Sequence, residues 1–337
     1  MEALDLIKKY SKIVEKPMRE ILGSFLERKF QKLAFYQIST GGKRLRPALS
    51  ILSCQLLGGK IKDVLYPAAG IEILHNYTLI VDDIIDHSHL RRNQPTLWFK
   101  FGTSIAECLG MIYAASIFQA AQRSKFPSKI NEIFASTLKK IIQGEILDIL
   151  FERAGRENEP YISENRYFEI SEKDYLKMVS QKTAALFEAA CEVGGICANG
   201  KEKEIQALKN YGFNLGIAFQ IRDDILDIFG EEKKFGKKIG KDIEERKGGN
   251  FLILLALGEL PFSKRKKLET ILKKKKIKNE DLKKAVKLIE ETSALKKATF
   301  WSKKFIKKAK RSLELLPQNK WNEILKEIAD FIIQREK

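Results

Sequence analysis

An all-α fold, organised as a single large helical bundle, is what this sequence predicts, and three observations carry that expectation. Apolar residues recur at helical spacing through most of the 337 residues. No proline interrupts the chain between Pro160 and Pro261, so long helices can run there unbroken. Sustained period-two alternation, Asn-Gly or Asp-Gly hairpin signals and solenoid-length repeats are missing from the sequence.

Each element has its own reason. The stretch "LRPALSILSCQLLGG" predicts a helix with an apolar stripe, starting near Pro47 and ending at Gly58-Gly59. "YPAAGIEILHNYTLIVDDIID", residues 66–86, is apolar almost all round, which suits a buried core helix. "EIFASTLKKIIQGEILDILFERAG" and "SQKTAALFEAACEVGGICANG" repeat the theme, each stopping at glycine. "RSKFPSK", "RAGRENEPYISENR" and "GEEKKFGKKIGKDIEERKGGN" read as loops. One domain spanning residues 1–337 is expected, with 261–337 as its lysine-rich helical portion.

Composition excludes several classes. A hydrophobic content of 44% is that of a globular chain. The start, "MEALDLIKKYSKIVEK", is amphipathic and charged and lacks a secretory apolar region. The longest purely apolar run, "FLILLAL", falls short of the ~18–20 residues of a membrane span. Cys54, Cys108, Cys191 and Cys197 form no CxxC pair and have no companion histidine cluster, which argues against zinc or a disulfide framework. A reducing cytoplasm is the expected location.

The net charge of +18 invites a nucleic-acid reading, but about +14 of it falls within residues 261–337, in runs such as "KRKK" and "KKKK". Zinc-finger spacing, an RNP-like motif and a recognition helix are all lacking, so a solvated basic helical surface accounts for the charge without nucleic acid. In the tail, Trp321, Ile324, Leu325, Ile328 and Ile332 stand at helical spacing beside the basic stretch 296–311. That pattern fits either a helix packed on its own core or a weak peripheral contact with anionic lipid.

The chemistry concentrates in two acidic clusters. "DDIIDHSHLRRNQPT" begins at Asp82 and closes a greasy helix; Asp82 and Asp86 share a helical face with β-carbons ~5–6 Å apart. Carboxylates that close repel unless a cation joins them. Arg91 and Arg92 come too late in the chain to pair with both on that face. A divalent cation on the carboxylates, and a multiply charged anion reaching the arginines, is the simplest physical answer. "FQIRDDILDIFG" repeats the pattern with Asp223, Asp224 and Asp227, again at the end of an apolar helix. Facing each other, the two clusters would form a carboxylate-lined mouth suited to magnesium, waters and phosphates.

At this point the sequence resembles the trans-isoprenyl diphosphate synthases, the polyprenyl synthetase family, on "GGKRLRP" (41–47), "DDIIDHSHLRR" (82–92), "QKTAALF" (181–187) and "FQIRDDILDIFGEEKKFGKKIGKDIEERKGG" (219–249). The resemblance implies a helical bundle around a deep central apolar cavity, in a homodimer. It implies magnesium-dependent head-to-tail condensation of isopentenyl diphosphate onto an allylic diphosphate. By motif position, Asp82 and Asp86 would hold two magnesium ions and Asp223 a third, with Asp83 and Asp227 as supporting partners. Arg91, Lys182, Lys238 and Lys247 resemble the allylic diphosphate cations, and Lys43, Arg46, His75 and Arg92 the isopentenyl diphosphate site. Thr183 and Gln220 match the neutral oxygens placed beside the allylic cation. His87 and His89 have no family role. Asn93 replaces the usual glycine, and asparagine tolerates the left-handed backbone such a turn needs.

Chain length, in this family, is set beneath the first motif. Tyr77 lies five positions before Asp82, with Leu74, Ile73 and Gly70 lower on that face, the glycine leaving space. This pattern resembles the archaeal type of geranylgeranyl diphosphate synthase; a farnesyl, mixed or longer product is the alternative. A class I terpene cyclase would lack "GGKRLRP" and the second DDxxD, and a non-catalytic synthase subunit would have lost its acidic motifs.

Overall fold

The computed structural model describes residues 2–230, 240–274 and 276–334. In chain order the α-helices are α1 Glu2–Ile13, α2 Glu15–Gly23, α3 Arg28–Ser39, α4 Leu45–Leu56, α5 Ile61–Ile85, α6 Leu97–Phe101, α7 Thr103–Gln122, α8 Pro127–Leu150, α9 Pro160–Asn165, α10 Glu172–Val179, α11 Ala185–Cys197 and α12 Glu202–Phe229. They continue with α13 Lys241–Glu244, α14 Phe251–Glu259, α15 Phe262–Leu272, α16 Asn279–Glu290, α17 Ala294–Leu313 and α18 Lys320–Gln334. Extended pairing among the described residues is limited to a two-residue antiparallel ladder, Leu90–Arg91 with Gln94–Pro95, and one isolated bridge, Glu152 with Lys247. The all-α expectation holds. The segment 153–166 is less irregular than expected, since α9 forms within it with Pro160 in its first turn.

Two compact units share the chain. The first comprises Met1–Lys139, Leu186–Gly212 and Ala309–Ile328; the second comprises Lys140–Ala185, Phe213–Lys308 and Ala329–Lys337.

In the first unit α5 is the central helix, lying against α2, α4 and α7. Its all-round apolarity is explained by burial of Ala68, Ala69, Ile71, Ile73, Leu74 and Ile80. Arg44 enters α4 with a left-handed backbone, φ 49°, and its buried guanidinium donates to the carbonyls of Ser11 and Ile38 at 3.0 Å each. That single side chain ties three segments at the start of α4. Among the described residues one helix, α7, is long and apolar enough to cross a membrane, although it holds no purely apolar run of that length. Its Leu109, Tyr113, Ile117, Ala120 and Ala121 are buried against the protein, while Ile105, Met111 and Phe118 are exposed.

In the second unit the run "FLILLAL" forms the core helix α14. Asn250 caps it, its side-chain oxygen accepting from Leu252 N at 2.9 Å and Ile253 N at 3.3 Å. Phe251 stacks on Tyr175 of α10 with ring centroids 4.5 Å apart. The apolar stripe of the tail helix is buried, Ile324, Leu325 and Ile328 within the first unit and Ile332 within the second. Of the two readings offered for that stripe, packing on the core is the one realised; the lysines of α17 face outward.

Candidate functional site

The last turn of α5 separates the roles of its three aspartates. Asp86 N donates to the Asp82 carbonyl at 2.8 Å, so both side chains leave the same helical face, half-buried. Asp83 points inward, 2% exposed, and is gripped by Arg91: Nε donates to its two oxygens at 2.8 and 3.0 Å, and a terminal guanidinium nitrogen lies 2.8 Å from Oδ1. Arg91 thus pairs with the inward-facing Asp83, a partner the sequence reading did not name, and no Arg91 ion pair with the Asp82–Asp86 face is needed for it. The chain turns back through Arg92 (φ 53°) and Asn93 (φ 60°), a two-residue hairpin of the kind left-handed residues permit. Asn93 therefore adopts the left-handed backbone expected of it. Thr96 and Trp98 both donate to the Ser88 carbonyl, at 2.7 and 2.9 Å, and fix the loop. His87 and His89 belong to its aromatic packing, His89 stacking on Phe99 at 4.4 Å.

The glycine–arginine turn assembles a second cationic group in the first unit. Gly41 and Gly42 have φ 89° and 133°, and the Arg92 guanidinium donates to the Gly41 carbonyl. It lies so close over Gly42 that a methyl group there would stand 2.7 Å from its central carbon. Arg46 sits 4.5 Å over the Phe187 ring, and its terminal nitrogen is 3.3 Å from His75 Nε2. Burial, then the charges of Arg46, Arg92 and Arg91, hold His75 well below the usual imidazole range. A neutral ring accepting from Arg46 at Nε2 carries its proton on Nδ1. Lys43 is exposed on the turn. Sequence reasoning did not foresee Glu72, one turn below His75, 1% exposed, with the Asn76 amide 3.2 Å from its carboxylate.

In the second unit "SQKTA" forms a π-turn, Ser180–Ala184, where a regular helix was expected. Gly144 of α8 permits it: a methyl group there would collide with the Lys182 backbone nitrogen. The turn carries Thr183, whose hydroxyl donates to Gln220 Oε1 at 2.8 Å, and Lys182, whose Nζ is 2.6 Å from both Glu145 and Asp148. Gln220 Nε2 in turn donates to Asp224 Oδ1 at 2.9 Å. Asp224 also accepts from Tyr175 Oη at 2.8 Å and Phe251 N at 2.9 Å. Burial, then the nearby Asp242, pushes Asp224 well above the carboxylate range, and the same causes push Asp227 up to about 9. Asp227 accepts from Asp242 N at 3.1 Å, and Asp223 alone of this cluster is half-exposed. Lys247 Nζ lies 3.6 Å from Asp148 and 3.3 Å from Glu245. Asp148 is buried, which raises its pKa, but Lys182 and Lys247 outweigh that and hold it at about 2. Lys238 lies outside the described residues.

Glu145, Asp148 and Asp224 were missed as partners, although acids at i and i+3 in the apolar "GEILDIL" were a readable signal. Among the described residues no group of three or more His, Cys, Asp or Glu is placed to hold a metal ion by protein ligands alone. The paired face of Asp82 and Asp86 nonetheless fits magnesium, which takes one or two carboxylates and completes its shell with water and substrate phosphates.

Beneath the first motif, the Tyr77 ring lies against α7 at Gly110, 3.8 Å from where a methyl group would sit. Leu74 is fully buried. Gly70 does not leave the space expected of it: the Ala120 methyl and the Phe134 ring each come within 2.8 Å of a Cβ placed there. The absent side chain of Gly70 is replaced by an incoming aromatic.

Comparison with known proteins sets this geometry in context. The family model described as polyprenyl synthetase matches residues 27–289. A short chain isoprenyl diphosphate synthase of Methanothermobacter thermautotrophicus is 32% identical, covering 100% of this chain and 99% of its own. A geranylgeranyl diphosphate synthase of Saccharolobus solfataricus is 36% identical over 93% of each chain. The crystal structure of geranylgeranyl pyrophosphate synthetase from Pyrococcus horikoshii Ot3 superposes with a TM-score of 0.89 at 30% identity, covering 99% of this chain and 98% of that one. Similarity that runs nearly end to end, in sequence and in fold, leaves one reading of the two acidic helices: the chain belongs to the polyprenyl synthetase family and is a prenyltransferase.

Proposed function

We propose that this prenyltransferase makes geranylgeranyl diphosphate, adding isopentenyl diphosphate to an allylic diphosphate until the tail meets the Tyr77 ring. The observation that carries this reading is the seating of Tyr77 against Gly110 below the first acidic motif, above the buried Leu74 and Ile73. Relatives named geranylgeranyl diphosphate synthase support it.

The family uses Mg2+ for diphosphate binding. Asp82 and Asp86 would hold two ions and Asp223 a third, and the bound metal neutralises the charge that builds on the leaving diphosphate. Asp83 is spent on Arg91, which aligns that guanidinium for the allylic diphosphate. Lys182 and Lys247 supply further positive charge to the same group, and Lys238 completes the set. Lys43, Arg46 and Arg92 take the isopentenyl diphosphate, where planar guanidinium forks match phosphate oxygens. His75, kept neutral, orients Arg46 and adds no charge of its own. Thr183 and Gln220 turn neutral oxygens toward the developing allylic cation, and Asp224 holds Gln220 in that orientation. The isopentenyl double bond is the nucleophile, and the departing diphosphate takes the proton.

A second copy of the chain is the proposed occupant of the outer stripe of α7. Ile105, Cys108, Met111, Ala115 and Phe118 follow helical spacing there, are all exposed, and are all apolar. The outward face of α17 carries lysines at 296, 303, 304 and 307 around an exposed Phe300, which suits weak contact with anionic lipid. Incubation with labelled isopentenyl diphosphate, farnesyl diphosphate and Mg2+ tests the chemistry. A labelled allylic diphosphate five carbons longer is expected. Release of unlabelled hydrocarbon from farnesyl diphosphate alone would mark a cyclase and overturn the assignment.

A further inference from the structure

We propose that Asp148 is a positioning residue that holds Lys182 and Lys247 side by side as a two-ammonium cradle for a diphosphate. The inference rests on the reading above that those two lysines serve the allylic diphosphate, and goes beyond it by naming what keeps them together. One carboxylate oxygen, Oδ2 of Asp148, lies 2.6 Å from Lys182 Nζ and 3.6 Å from Lys247 Nζ. The two ammonium groups therefore stand within about 6 Å of each other, a separation at which like charges repel unless an anion lies between them. Asp148 is that anion, and the pull of both lysines keeps it ionised despite its burial.

The backbone shows the same arrangement. Residues 144–153 anchor both lysines. Gly144 admits the Lys182 backbone at a distance no side chain would allow. Just past α8, Glu152 bridges to Lys247, Arg153 N donates to the Arg246 carbonyl at 3.0 Å, and Gly248 N donates to the Phe151 carbonyl at 3.2 Å. Asp148 sits between these two anchor points. Glu145 also lies 2.6 Å from Lys182 Nζ, while a single oxygen of Asp148 meets both lysines. A diphosphate carries charge on both phosphoryl groups and can meet both ammonium groups at once.

The test is a steady-state comparison of Asp148→Asn, Glu145→Gln and Lys182→Ala with the unaltered enzyme, varying farnesyl diphosphate and isopentenyl diphosphate separately. Asp148→Asn is expected to raise KM for farnesyl diphosphate about tenfold and leave that for isopentenyl diphosphate within about twofold, with a smaller effect from Glu145→Gln. Asp148→Glu, which keeps the charge, should recover part of the loss. Should the asparagine variant not fold, Asp148→Glu against Lys182→Ala carries the same comparison. An unchanged or lowered KM for farnesyl diphosphate in Asp148→Asn, or an equal rise for both substrates with loss of stability, overturns the cradle. An unchanged farnesyl KM in Lys182→Ala would instead overturn the underlying assignment of the lysine, so the two failures are distinguishable.

Discussion

Replacing Tyr77 with serine should lengthen the product, and the structure sets how far. Tyr77 lies five residues below Asp82, ~7–8 Å along α5 at 1.5 Å per residue. Gly70 is a further seven residues down, ~10 Å, and there the Phe134 ring and the Ala120 methyl close the way. An extended five-carbon unit built on C–C bonds of ~1.5 Å spans roughly 5 Å, so about two more units fit between those levels. Each added unit gains up to about 3–4 kcal/mol from apolar burial at ~0.8 kcal/mol per methylene, enough to favour occupancy of the opened space. The product distribution should therefore move from twenty carbons toward twenty-five and thirty, with fully buried Leu74 slowing the first step. Losing a half-buried ring costs roughly 1–3 kcal/mol of stability, and turnover should change little because the diphosphates are held elsewhere. Reversed-phase chromatography of dephosphorylated products reads the outcome. An unchanged distribution would show that Tyr77 is ordinary core and that the floor lies elsewhere.

Four further outcomes follow from the acidic and cationic residues described above. Asp82→Ala or Asp86→Ala should lower Mg2+-dependent turnover by orders of magnitude with the helical circular dichroism intact, and near-native rates in both would refute their metal role. Gly42→Ala should raise KM for isopentenyl diphosphate more than for the allylic substrate, because φ 133° is strained for alanine and the added methyl meets the Arg92 guanidinium at 2.7 Å. Arg92→Lys should act in the same direction through loss of the fork. Asp148, held at about 2 against an ordinary 3.8, gives a signed pH effect. A carboxyl lowered in the folded state adds stability that is full above the unfolded value and is lost as pH falls toward the folded one. Urea midpoints should therefore drop between about pH 4 and 2 by an amount worth about 2 kcal/mol, and Asp148→Asn should flatten that slope.

The helices were legible because burial writes a 3.6-residue period into the chain. α4, α5 and α12 stand where the apolar stripes placed them, each acidic motif at its helix end. Pairings that depend on backbone detail were not legible. Arg91 reaches Asp83 from the loop after α5, where His87 is left-handed at φ 51°, and spacing along a helical face says nothing of a chain that has left the helix. Gly70 read as space because a sequence shows the missing side chain and not the Phe134 that fills its place. The π-turn at Ser180–Ala184 answers to the close approach of Gly144, a contact 38 residues away in sequence. Acidic motifs announced charge but not its division of labour: Asp223 remains half-exposed, while Asp224 and Asp227 are buried and hydrogen-bonded into the unit that carries them.

The most direct test of the account is mass spectrometry of the products formed by the unaltered enzyme from isopentenyl diphosphate and Mg2+, with dimethylallyl, geranyl or farnesyl diphosphate as the primer. Geranylgeranyl diphosphate should be the end product from all three primers, since a stop at Tyr77 would not depend on the starting unit. End products that grow with the primer, or that run to thirty carbons and beyond from every primer, would contradict it.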